Sequence, residues 1–138
     1  MKKVLLTAGL LGLFGQAHAF NEKQAVELVK KYVGTVACAY DVSTFPVAKF
    51  DNDSYVVGWT GQLGCPGGNQ TTLSYLSVVS PGYHGEDTYI VDYRPATADI
   101  TALETVDKLA FQKGTLSVTG SGMTLKFVRE GFKWKKVR

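Results

Sequence analysis

An α+β fold, with an N-terminal amphipathic helix packed on a curved antiparallel sheet of about seven strands, follows from three features of the sequence. Apolar residues recur at helical spacing over a long run near the start of the chain. After residue 34 the composition turns to Val, Thr, Tyr and Phe in short runs with two-residue alternation. Glycine-, asparagine- and aspartate-bearing turns separate those runs closely enough for hairpins. A β-sandwich or half-open barrel with a helical lid is the alternative architecture.

The helix is expected after an export signal. Lys2 and Lys3 form a positive start, residues 4–14 a short apolar stretch, and Ala17-His18-Ala19 a small-x-small cleavage pattern. The apolar stretch is too short to span a bilayer comfortably, and cleavage after Ala19 leaves a single domain, residues 20–138. Asn21 is then a good N-cap, with Gln24 at the capping-box position. Ala25, Val26, Leu28, Val29, Tyr32 and Val33 make the apolar face. Lys30 and Lys31 are placed in the last turn, with Gly34 closing the helix.

Strands are expected at 35–40 and 46–50, the second at an edge because Pro46 has no N–H to give. Asp51-Asn52-Asp53-Ser54 reads as a turn. The strand at 55–60 presents Tyr55, Val57 and Trp59 on one face. The strand at 71–80 is apolar on both faces, with Leu73, Tyr75 and Val79 on one and Leu76 and Val78 on the other. That marks a central strand covered on each side. Residues 81–87 read as a turn, 88–93 as a strand and 94–102 as irregular. For 104–112 a helix competes with a hairpin arm; Lys113-Gly114 and the strongly β run behind it favour the hairpin. Ser121-Gly122 and Glu130-Gly131 then separate strands at 123–129 and 132–137.

Charge and cysteine content narrow the function. Of 15 basic residues, Lys2 and Lys3 leave with the signal, so the mature chain is close to neutral against 12 acids. Nucleic-acid binding as the main task has little support from that balance. The basic residues Lys126, Arg129, Lys133, Lys135, Lys136 and Arg138 crowd the last strands, on a solvated face or as a patch for an anionic partner. An exported chain with Cys38 and Cys65 is expected to join them in one disulfide. That bond would pin the glycine-dense connection from residue 61 to 71.

No catalytic set stands out. His84 is the sole histidine of the mature chain, and no G-x-S-x-G elbow marks a nucleophile beside it. Asp51 and Asp53 begin like a calcium loop, but Val56 stands where the turn glycine is needed. Gly61, Gly64, Gly67 and Gly68 lack the Lys-Ser/Thr that a phosphate loop requires. No cofactor and no metal are expected.

The sequence therefore points to a small bacterial-style exported binding protein, periplasmic or secreted. It would inhibit, or give immunity against, an envelope enzyme or toxin. The candidate contact residues are Trp59, Gly64, Pro66, Gly67, Gly68 and Asn69 around the pinned connection, with Trp134 and Lys135 on the last strand. A module for peptidoglycan or another anionic envelope glycan is the alternative, and a small hydrolase using His84 the second. No nucleic acid and no stable membrane insertion after signal cleavage are expected.

Overall fold

The structure, a computed structural model, describes residues 20–63, 71–82, 89–92, 100–131 and 133–138. The signal at 1–19, most of the turn at 81–87 and most of the irregular stretch at 94–102 lie outside them. Helix α1 (Glu22–Val36) opens with the expected capping box: Gln24 N–H donates to Asn21 Oδ1, and Asn21 N–H donates to Gln24 Oε1, each at 3.0 Å. Two of the N–H groups a helix start leaves unpaired are thereby satisfied. Ala25, Val29 and Val33 are fully buried, as the four-residue spacing requires. Phe20 ties the start of α1 to the sheet. Its ring stacks on Tyr89 at 3.6 Å, and its carbonyl accepts from the Tyr55 hydroxyl at 2.9 Å. Burial, and then the carboxylates of Glu22 and Asp53, hold that phenol above its usual range and keep it a donor.

The helix end differs from expectation. α1 runs past Gly34 to Val36 and stops at Ala37, which is extended and whose N–H donates to Val33 O. Lys30 and Lys31 accordingly lie outside the last turn, which holds no basic residue. The cause is tertiary: Ala37 is already paired with Leu63, so the sheet terminates the helix and no glycine cap is used.

The β residues form two antiparallel sheets where one curved sheet was expected. The first contains β1 (Ala37–Tyr40), β2 (Val47–Asp51), β3 (Ser54–Leu63), β4 (Leu73–Pro81) and β5 (Tyr89–Asp92). β3 is its hub. β2 pairs with the first half of β3 (Val47 opposite Val57) and β1 with the second half (Tyr40 opposite Gly61). β4 runs along β3 from Tyr55–Val79 to Gly61–Leu73, and β5 pairs with β4. The second sheet is a meander of β6 (Lys108–Gln112), β7 (Thr115–Gly120), β8 (Met123–Glu130) and β9 (Lys133–Val137).

The two-faced β3 and β4 explain why two sheets form. Tyr55, Val57, Trp59, Tyr75 and Val79 meet α1. Val56 and Leu76 point the opposite way, into a core completed by Leu116, Val118, Phe127 and Trp134 of the second sheet. One helix covers one face only. The other must be covered by something, and at roughly 25 cal/mol per Å² of buried apolar area the meander supplies that cover. The hairpin reading of 104–112 holds for β6 and β7. Lys113-Gly114 and Ser121-Gly122 both have positive φ at each position (48° and 77°, 51° and 74°), the two-residue geometry that matches strand twist.

The segment before β6 wedges between the sheets through two glycines. A Cβ on Gly58 would lie 2.6 Å from Val106 Cγ1, and one on Gly120 would run into the carbonyl oxygen of Thr105. Asp107 N–H donates to Thr119 O at 2.8 Å and locks the approach. Backbone cannot yield as a side-chain tip does, so Gly120→Ala is expected to cost about 1–3 kcal/mol. In urea unfolding the midpoint should fall with little change in slope.

Candidate binding surfaces

The first candidate surface lies where β1 crosses the end of β3. Cys38 occupies a β-bulge: Ala37 pairs with Leu63 and Ala39 with Gln62, which leaves Cys38 as the extra residue. Bulges re-aim side chains, and Cys38 is disulfide-bonded. The chain's other cysteine, Cys65, lies outside the described residues, as do Gly64, Pro66, Gly67, Gly68 and Asn69. Gly61 lets β1 approach: a Cβ there would sit 2.9 Å from both Ala39 O and Tyr40 Cβ. The stems that enter and leave the 64–70 connection are cross-tied. Gln62 Nε2 donates to Thr72 Oγ1 at 3.1 Å, and the Thr60 and Ser74 hydroxyls meet at 3.4 Å.

An open cavity of about 170 Å³ sits at this base, lined by Tyr40, Asp41, Thr60, Gly61, Gln62 and Thr72 among others. The Asp41 carboxylate accepts from Ser43 Oγ at 2.6 Å and from Ser43 N–H at 2.8 Å. Those bonds, with help from Thr44, hold it below the usual carboxylate range, so it is ionised at neutral pH. Val42 next to it is 70% exposed, the most exposed of the large apolar side chains described. The surface thus combines an apolar tip, a fixed negative charge and amide and hydroxyl groups on a braced strand end.

Two sequence candidates prove to be core. Trp59 is fully buried, stacks on Tyr75 at 4.3 Å and donates its indole N–H to Ser77 Oγ at 2.9 Å. It supports the strand that carries the surface. Trp134 is buried against Phe50 and Phe111, at 5.3 and 6.1 Å. Lys135 points the other way and bonds Glu130 at 3.2 Å. The alternation in β9 therefore separates what a sugar-binding strip would place together, the aromatic inward and the lysine out. β9 is the last strand of its sheet, and its lysines guard an exposed edge.

Neither a protein-family model, nor a curated protein, nor a solved structure matches this chain. Its function is therefore argued from its own residues. His84 lies outside the described residues. Among the described residues, no three His, Cys, Asp or Glu side chains gather into a group that could hold a metal ion. No described helix is long and apolar enough to cross a membrane.

A second surface adds a groove to the basic residues that the sequence had marked as a possible patch for an anionic partner, and splits them, since Arg129 and Lys136 face the core side with Trp134 and Phe127. The outer face of the β6–β9 sheet forms an open groove of about 460 Å³, lined by Ala110, Gln112, Lys113, Thr115, Ser117, Lys126, Val128 and Val137. Each run's alternation already showed which residues turn away from Leu116, Val118 and Phe127. What the sequence could not show was the register, which sets Ala110, Ser117, Lys126 and Val137 in one row across four strands.

Proposed function

We propose that this is an exported binding protein that engages a protein of the cell envelope or its surroundings, as an inhibitor or immunity protein. The contact is the Cys38 end: Val42, the Asp41 cavity and the connection that leaves β3. The observation that carries this reading is the exposed Val42 beside an ionised Asp41, next to the cross-tied ends of β3 and β4. Asp41 N–H donates to Thr60 O at 2.9 Å, which ties the contact to the buried run of β3, so it loses little freedom on binding. The Cys38–Cys65 bond, as proposed, stiffens the same end further. An envelope destination rests on the signal pattern at 1–19.

A photo-crosslinking residue placed at position 42 of the exported chain tests the reading in intact cells. One discrete adduct is expected from position 42 and none from position 23, an exposed site on the first turns of α1. No adduct from 42, or the same adducts from both positions, would contradict it.

A further inference from the structure

The groove on the outer face of the meander is a separate surface, and its chemistry stands independently of the Cys38 end. Three of its strands place Lys108, Lys126, Lys133 and Lys135 on this face against a single acid, Glu130, while Arg129 and Lys136 share the opposite face with Trp134 and Phe127. That acid is already engaged by Lys135 at 3.2 Å. Lys126 rises from the groove and Lys113 stands at its end; neither takes part in a described ion pair. The floor is low and rich in hydroxyls: Ala110, Thr115 and Ser117, with the Gln112 amide beside them. No described element packs on this face, since α1 lies on the other sheet.

We infer that this groove binds a carboxylate-bearing glycan chain. Charge complementarity calls for a polyanion, and three features select the class. The described aromatic residues of this sheet, Phe111, Phe127 and Trp134, all turn toward the core, so no described side chain on the face stacks a nucleobase, as single-stranded nucleic acid would need. Among the described residues, Arg129 also lies on the core side, over Phe50, so this face carries no described aromatic or arginine anchor of the kind on which tight protein contacts depend. Hydroxyl, amide and ammonium groups along an open trough match a chain of hydroxyls and carboxylates. Lysines act there as flexible point charges without fixed bidentate geometry, which makes the attraction tolerant of sugar sequence and sensitive to salt.

The test is titration of the mature chain, residues 20–138, with polygalacturonate at low and at physiological ionic strength. Dextran, poly-glutamate and single-stranded DNA serve as comparators. Polygalacturonate should bind at low salt and weaken as salt rises, while dextran should not bind. Lys113→Ala with Lys126→Ala should weaken binding by about tenfold or more; both side chains are exposed, so the fold should be unaffected. Ser117→Trp, which fills the floor, should also weaken it. Lys23→Ala with Lys31→Ala, on exposed positions of α1, should leave it unchanged. The inference is overturned if polygalacturonate does not bind, or if the groove pair and the helix pair of substitutions have equal effects. It is likewise overturned if poly-glutamate or single-stranded DNA binds as tightly as the polyuronate. None of these outcomes bears on the adduct expected from position 42.

Discussion

Replacing Trp59 with alanine is expected to lower stability by about 3–5 kcal/mol, the range for emptying an aromatic site in a close-packed core. Three losses add together. The indole is fully buried between α1 and the sheet. Its stacking on Tyr75 disappears. Ser77, itself 0% exposed, loses the donor that its hydroxyl accepts from, and a buried polar group without a partner carries its own penalty. Against a typical total of about 5–15 kcal/mol for a domain, the variant should be close to unfolding at 37 °C. Urea denaturation followed by far-UV circular dichroism gives the number. Trp59→Phe should recover much of the loss, because it keeps the ring and gives up the N–H. A Trp59→Ala variant within about 1 kcal/mol of the parent would mean that β3 is not the hub of the fold.

The second large effect is expected from Cys38→Ser. With Cys65 as its partner, the bond closes a loop of about 28 residues, worth roughly 3–4 kcal/mol in the chain-entropy account. The local structure makes β1 unusually dependent on it. β1 has only four residues, its register is broken by the bulge at Cys38, and Ala39 and Tyr40 hold to β3 by few pairs. Without the staple, β1 should fray before the rest of the sheet. Hydrogen exchange should then show amides at 37–41 losing protection while those of β3 and β4 keep theirs. Equal loss across all three strands would indicate global destabilisation and no special role for β1.

Much of this architecture was legible in the sequence, and the failures have physical causes. The capping box at Asn21 and Gln24 was readable because it depends on residues three apart. The two-faced apolar pattern at Leu73, Tyr75, Leu76, Val78 and Val79 announced a central strand with cover on both sides. It did not say whether that cover belonged to one continuous sheet or two, because the answer depends on pairings between strands far apart in the chain. Gly34 misled, since a glycine near a helix end is a frequent cap but not an obligatory one, and here pairing of Ala37 with Leu63 decided the boundary.

The candidate surfaces divide in the same way. Trp59 and Trp134 attracted notice because large aromatics beside glycines or lysines resemble a ligand platform. Two-residue alternation already placed each on the face of its strand opposite the charged or small neighbours, and burial followed from that. Val42 and Asp41 drew no notice, because exposure and a local turn with Ser43 leave no pattern in composition. The groove of Ala110, Ser117 and Lys126 needed cross-strand register, which only the folded chain supplies.

The central claim, that the Cys38 end is a preorganised protein-binding surface, is most directly tested by the yield of the position-42 adduct in oxidised and reduced protein. Both forms should be held at a temperature where circular dichroism shows the sheets intact. Oxidised protein should give the adduct and reduced protein should lose most of it, because the braced end loosens while the fold persists. An adduct of undiminished yield after full reduction would contradict the claim and leave the disulfide as architecture alone.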